Sequence, residues 1–174
     1  LRGFRSLARE WKVDLLGGDT TRSPRHLFIN VAVIGSIVTE NMKLRSGARS
    51  GDVIAVTGHL GDSAGGLQVI LERTVRNART LRLLRAHHRP RPRIGEGAWL
   101  SRKPEVHAMM DLSDGLDSDL RRILKKSDCG AVVELSQIPT STCLRSVSRD
   151  LNWDPTALSV FGGEDYGLLL TVEA

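Results

Sequence analysis

An α/β fold is predicted for this 174-residue chain by three observations. Short β-branched runs alternate with amphipathic helical stretches, glycine-rich turns join the two, and no apolar run reaches the length of a membrane span. The 40% hydrophobic and 26% charged content is an ordinary globular balance, sufficient to bury a core.

The elements follow in order. "FRSLAREWKVDLLGGDTT" opens as a short helix with Leu7 and Trp11 on one face, then a brief strand and a double-glycine turn. "HLFINVAVIGSIVT" is apolar on both faces, the pattern of a strand covered on both sides. The polar connector "ENMKLRSGARSGD" is the expected domain boundary, placed between residues 44 and 45. "VIAVTG" predicts a second buried strand, and "HLGDSAGGLQVILERT" a turn into a helix packing through Ala64, Leu67 and Leu71. Eight arginines lie between 73 and 93, and Arg73, Arg76, Arg79, Arg82 and Arg85 recur every third residue. That spacing predicts a basic helical ridge, stopped by the prolines of "HHRPRPR". "VHAMMDLS" is a third strand. "DGLDSDLRRILKKSD" is an amphipathic helix with Leu116, Leu120, Ile123 and Leu124 inward and Gly130 just past its end. "GAVVEL" predicts a fourth strand, residues 140–151 a helix, and "YGLLLTV" a last strand.

The net charge of +5 points to an anionic partner. Nucleic acid is one such class, but the arginine ridge has no interleaved aromatic residues, so a solvated helix face is the simpler reading. His87 and His88 read as loop residues. Cys129 and Cys143 show no CxxC spacing and are expected to be reduced, buried thiols in a cytoplasmic protein. The start at Leu1 without methionine and the apolar end "LLLTVEA" suggest a piece of something longer.

Chemistry concentrates in "MMDLSDGLDSDL", where four aspartates crowd into nine positions of a basic chain. Asp117 precedes Arg121 by four residues and Asp119 precedes Arg122 by three, so both suit ordinary helix ion pairs. Asp111 and Asp114 differ, because they bracket Ser113 at a strand-to-helix turn, where open α/β sheets bind ligands. A helix cap explains Ser113 or Asp114 but leaves Asp111 without a reason, and a metal site competes with the capping reading.

Three other turns share this grammar. "LLGGDTTRSP" presents Asp19 after Gly17 and Gly18, "VTGHLGDSAGGL" presents Asp62 among four glycines, and "FGGEDYG" presents Glu164 and Asp165. Each could be a tight connection or an anion cradle of backbone N–H groups; the Walker ending GK[ST] is missing. Carboxylates and hydroxyls without histidine or cysteine at ligand spacing suit Mg²⁺, and acidic groups beside a phosphate cradle make sense with a cation between them.

Together, "LLGGDTTRSP", "LRSGARSGDVIAVTGHLGDSAGGL", "HHRPRPR", "MMDLSDGLDSDL" and "FGGEDYGLLL" resemble, in order and spacing, the thiamine-monophosphate kinases. These belong with aminoimidazole-ribonucleotide synthetase, selenophosphate synthetase and the hydrogenase-maturation dehydratase. The resemblance runs over essentially the whole chain. It implies an α+β, sandwich-like arrangement, with residues 1–44 the trailing part of an N-terminal ATP and dimerisation domain. Residues 45–174 would be an incomplete C-terminal domain. It further implies transfer of the ATP γ-phosphoryl group to thiamine monophosphate, giving thiamine diphosphate, with several Mg²⁺ ions.

By the same resemblance, Gly18 and Asp19 would touch the nucleotide, with Asp19 also on metal, and Arg45 would reach an ATP phosphate. Asp111 and Asp114 would ligate separate Mg²⁺ ions with Ser113 on ATP between them. Glu164 and Asp165 would lie on the substrate side. No side chain is expected to act covalently. Family members run to about twice this length, and the remainder carries further metal-binding aspartates, most of a dimer-forming sheet and an aromatic residue that stacks on thiamine. The implied full-length protein is a cytoplasmic homodimer without membrane or nucleic-acid partners, and the chain alone is expected to be inactive. Gly167 departs from the glutamate usual after the tyrosine. Another enzyme of the superfamily, a fold-retaining binding protein and a basic nucleic-acid-binding module are the alternatives.

Overall fold

The computed structural model describes residues 2–174. They form two compact units, one running up to Ser36 and the other Ile37–Ala174. The first holds helix α1, Arg2–Trp11, which buries none of its residues. The strands expected within 13–21 and 26–39 are not formed. Leu27, Phe28 and Ile34 are more than 80% exposed. A strand apolar on both faces needs hydrogen-bonding neighbours and a cover on each side, and among the described residues nothing supplies them.

The second unit is built on a three-stranded antiparallel sheet of order β1-β3-β2, with β1 Val53–Val56, β2 Val106–Leu112 and β3 Gly167–Val172. The last strand is therefore central, pairing Val56 with Leu169 on one side and Leu112 with Gly167 on the other. Because β1 and β2 both run against β3, their C-terminal ends and the start of β3 share one end of the sheet. That end collects the turns 57–62, 113–115 and 162–166. All three strands fall where the apolar runs predict them.

Helix α5, Leu116–Ser127, covers one face through Leu116, Leu120 and Ile123, which join Leu60, Ala108, Leu112 and Leu169 in one buried cluster. A second cluster joins Leu83 of α3 (Ala78–His88) to Cys143, Leu144 and Val147 of α6 (Thr142–Leu151). Asn77 starts α3 with a reciprocal capping box to Thr80, and Ser141 caps α6.

Several expectations are corrected. Helix α2, Asp62–Leu71, buries Ser63, Gly65, Gly66 and Val69 rather than Leu67 and Leu71, which stay exposed. A Cβ on Gly66 would stand 2.3 Å from the Leu83 carbonyl oxygen, so the small face of α2 lets α3 approach and the leucine face turns to water. The arginine ridge is broken: Arg73 adopts a left-handed φ of 51° just beyond α2, and Arg79, Arg82 and Arg85 alone share α3. Arg79 is bound to Asp150 at 2.9 Å. His87 and His88 belong to the last turn of α3, not to a loop. Asp128, in the left-handed region, ends α5 in place of the expected Gly130.

Two short helices carry weaker patterns, α4 at Ile94–Leu100 and α7 at Pro155–Phe161. Asp154 caps α7 ahead of Pro155, a legible start signal. Residues 130–135 form no strand, and Val132 is 90% exposed. They and β1 line a cleft of ≈ 970 Å³, so the outer edge of β1 is left unpaired. Both cysteines are free thiols, and among the described residues no helix is long and apolar enough to cross a membrane.

Candidate functional site

The three turns at the shared sheet end are locked together by backbone contacts that only glycine permits. In the first, Gly58 and Gly61 both sit at φ 86°. A Cβ on Gly61 would meet Ser159 Oγ at 2.8 Å and Leu144 at 2.9 Å. Asp62 accepts a hydrogen bond from Ser141 Oγ at 2.5 Å.

The second turn, Ser113–Gly115, joins β2 to α5. Gly115, at φ 99°, lies against the carbonyls of Phe161 and Gly162. Asp119, from the first turn of α5, is fully buried. One of its oxygens accepts the N–H groups of Ser113 and Asp114 at 3.0 and 2.9 Å, and the other accepts Arg122 Nη1 at 2.7 Å. The sequence spacing assigns Asp119 an ordinary surface pair; the pair with Arg122 exists, but the carboxylate is an internal brace for the turn. Asp117 is the ordinary case, bound to Arg121 at 2.9 Å on the surface, with its carboxyl held low by that guanidinium. Asp111 is exposed, and Asp114 is half-exposed and paired with Arg122.

The third turn ties the first two. A Cβ on Gly163 would fall 2.5 Å from the Ser113 carbonyl oxygen, and one on Gly162 would fall 2.4 Å from Ala64 Cβ. Glu164 N–H donates to Ser113 O at 2.8 Å and Tyr166 N–H to Leu112 O at 2.9 Å. Between them, the two Asp165 oxygens accept the N–H groups of Gly61 at 2.7 Å and Ser63 at 3.1 Å. Ser63 is buried, and its Oγ lies 3.0 Å from His87 Nδ1.

Burial pushes the Asp165 carboxyl up to about 6; the N–H groups of Gly61 and Ser63 pull the other way, and Asp62 adds to the rise. A folded-state value above the unfolded one means that the folded chain binds the proton more tightly. Stability from this group is therefore greatest below about pH 4 and is lost as pH rises through about 6, by at most about 3 kcal/mol. Asp165→Asn is expected to remove that slope, which denaturant unfolding at a series of pH values from 4 to 7 would measure.

The structure thus brings Asp111, Ser113, Asp114, Glu164 and Asp165 to one sheet end. The Arg45 carbonyl instead accepts Ser127 Oγ at 2.9 Å, at the far end of the twelve-residue α5. A helix of that length spans about 18 Å. Gly18 and Asp19 lie in the first unit, exposed, with Asp19 accepting the N–H of Thr20 at 2.7 Å. Among the described residues, no three His, Cys, Asp or Glu side chains form a group that could hold a metal ion. Asp111 and Asp114 nevertheless fit Mg²⁺, which commonly takes one or two carboxylates and completes its shell with phosphate oxygens and water. The Asp119–Arg122 pair is legible from its three-residue spacing, whereas the burial of Asp119, its hold on the turn and the Ser63–His87 contact escape sequence reasoning.

Comparison with known proteins follows the same lines. Residues 49–172 match the family described as AIR synthase related protein, C-terminal domain. Thiamine-monophosphate kinase of Escherichia coli (strain K12) is 43% identical over 171 residues, covering 95% of this chain and 50% of that protein. The enzyme of the same name from Buchnera aphidicola (subsp. Schizaphis graminum) is 39% identical, over 98% of this chain and 52% of its own length. Among solved structures, AaThiL complexed with AMPPCP and TMP matches with a TM-score of 0.70 and 34% identity, over 74% of this chain and 41% of that one. The chain spans about half the length of the curated relatives it matches.

Proposed function

Because the chain belongs to the AIR synthase related family, carrying that family's C-terminal domain over residues 49–172, we propose that it is part of a thiamine-monophosphate kinase. The proposed reaction is ATP- and Mg²⁺-dependent phosphorylation of thiamine monophosphate to thiamine diphosphate. The observation that carries it is the convergence of three acidic glycine turns on one sheet end, with Asp111 and Asp114 facing solvent on either side of Ser113. The names of the relatives and the ATP analogue bound in AaThiL supply the reaction class.

In this reading, Asp111 and Asp114 hold Mg²⁺ and Ser113 faces the ATP phosphates. Gly18 and Asp19 serve the nucleotide, Asp19 also a metal, and Arg45 an ATP phosphate. Glu164 faces the acceptor. Asp165, with both oxygens taken by backbone N–H groups, is assigned to holding the turn rather than to touching substrate. Bound Mg²⁺ would neutralise charge between phosphate groups that otherwise repel. The acceptor is a phosphate monoester with a second pKa of about 6, so its oxygen is already anionic at neutral pH and no general base is required. The protein's part is positioning: Asp119 fixes the Ser113–Asp114 turn, and the glycine contacts fix that turn against Glu164. Arg122, paired with Asp114, supplies the counter-charge to that carboxylate, a part that Mg²⁺ would share if held there.

We assign residues 1–44 to the trailing part of an N-terminal domain and 45–174 to the C-terminal domain of a cytoplasmic homodimer. The basic ridge gives nucleic acid little support, since it is split between a loop and α3 and Arg79 is already paired. The test is an assay of the full-length protein with ATP, Mg²⁺ and a panel of phosphate-monoester acceptors. Thiamine diphosphate is the expected product; a different preferred acceptor would move the protein to another branch of the family, and no transfer to any acceptor would refute the kinase reading. The 174-residue chain by itself is expected to give no product.

A further inference from the structure

We propose that Tyr166 is a positioning residue, whose hydroxyl holds the Glu164 carboxylate in the orientation that meets the acceptor. This rests on the reading of Glu164 as the acceptor-side residue and extends it to a group that the motif alone does not explain.

Tyr166 Oη donates to Glu164 Oε2 at 3.1 Å. Both residues adopt left-handed backbone, Glu164 at φ 67° and Tyr166 at φ 48°, a region that side-chain-bearing residues rarely enter. Two such residues within three positions persist only where the surroundings over-determine them, and here they do. Glu164 N–H is tied to Ser113, the Asp165 carboxylate to Gly61 and Ser63, and Tyr166 N–H to Leu112. Three consecutive residues are thus fastened alternately to the end of β2 and the start of α2, which holds the backbone that carries the Glu164–Tyr166 pair.

Exposure and charge point the same way. Asp165 is turned inward, whereas Glu164 is exposed and Tyr166 is 38% exposed, so the pair forms the outer surface of the turn. Glu164 pushes the Tyr166 hydroxyl up, through its hydrogen bond and its charge, and Asp111 and Asp114 add to the rise. The phenol therefore remains a donor throughout the neutral range, and it shares the field of the two proposed metal ligands. An exposed glutamate samples several rotamers and loses that freedom on meeting a ligand. A hydroxyl that selects one rotamer beforehand removes part of this cost from acceptor binding alone.

The experiment uses the full-length protein with Tyr166→Phe, which keeps the ring and deletes only the hydroxyl, beside Glu164→Gln and the double variant. For Tyr166→Phe, KM for thiamine monophosphate is expected to rise about five- to tenfold, the size of one ordinary solvent-accessible hydrogen bond lost. kcat and KM for ATP should stay within about twofold, and the double variant should be no worse than Glu164→Gln, as coupled neighbours require. An unchanged acceptor KM in Tyr166→Phe while Glu164→Gln raises it would overturn the inference and leave the acceptor-side reading of Glu164 standing. Additive effects in the double variant, or equal damage to both KM values, would overturn it too, since either describes a tyrosine that serves packing. An acceptor KM unmoved by Glu164→Gln would remove the underlying reading and the inference with it.

Discussion

Asp111→Asn in the full-length protein is expected to lower phosphoryl transfer by about two to three orders of magnitude while leaving the fold intact. Losing one ligand of a charge-neutralising cation removes several kcal/mol of transition-state stabilisation, and each 1.4 kcal/mol is about a factor of ten. Asp111 is the clean position for this substitution. It is exposed at the end of β2, and no ion pair involving it is found among the described residues. Asparagine keeps its shape, so the thermal midpoint should stay unchanged and the loss should shrink as Mg²⁺ is raised. Asp114→Asn should behave similarly, but it also releases Arg122, and its dependence on Mg²⁺ will be less simple. A midpoint and a kcat that fall together would instead place Asp111 in the structural framework.

The second large effect lies in the first turn of α5 and is of the opposite kind. Asp119→Ala is expected to destabilise the protein by about 3–5 kcal/mol, read as a lower denaturant midpoint. The carboxylate is wholly buried and accepts three hydrogen bonds, from the N–H groups of Ser113 and Asp114 and from Arg122. Alanine leaves two backbone donors at a buried turn without a partner and uncouples a guanidinium from its counter-charge. Asp119→Asn should cost less, because an amide oxygen can keep accepting from the backbone. Asp117→Ala, two residues earlier, should leave the midpoint unchanged, since that pair stands in solvent. Four aspartates in one short stretch thus divide three ways: two at the open surface of the turn, one within it as a brace, and one in an ordinary helix ion pair.

Much of this architecture is legible in the amino-acid order, and the reasons for the gaps are physical. Apolar runs at 53–56, 106–112 and 167–172 do form the sheet, and the leucine spacing of α5 names its buried face correctly. Which strand lies in the middle is not a local property, and no run of residues announces that the last becomes the centre. Strand-like segments at 26–39 and 130–135 form no ladder, the second although it lies across a cleft from the open edge of β1, and propensity registers neither outcome. The leucine spacing of α2 points to the wrong face, because Gly65 and Gly66 let Leu144 and the α3 backbone at Leu83 pack against the glycine side instead.

The candidate site shows the same division. Its glycines look like tight connections one by one, and in the fold each has a different closest neighbour: Ser159 for Gly61, Gly162 for Gly115, Ser113 for Gly163. Spacing separates Asp111 and Asp114 from the rest. It could not distinguish Asp119 from Asp117, because burial depends on how the turn folds back over the helix. Nor could it show that Asp165 faces the start of α2, or that the Arg45 backbone lies at the far end of α5.

The most direct measurement is a crystal structure of the full-length protein with Mg²⁺ and a non-hydrolysable ATP analogue. If Asp111 and Asp114 hold the metal as proposed, a divalent ion will lie about 2.0–2.1 Å from a carboxylate oxygen of one of them and from a phosphate oxygen, with Arg122 withdrawn from Asp114. An analogue bound elsewhere, with both carboxylates still in contact only with water and Arg122, would contradict that proposal.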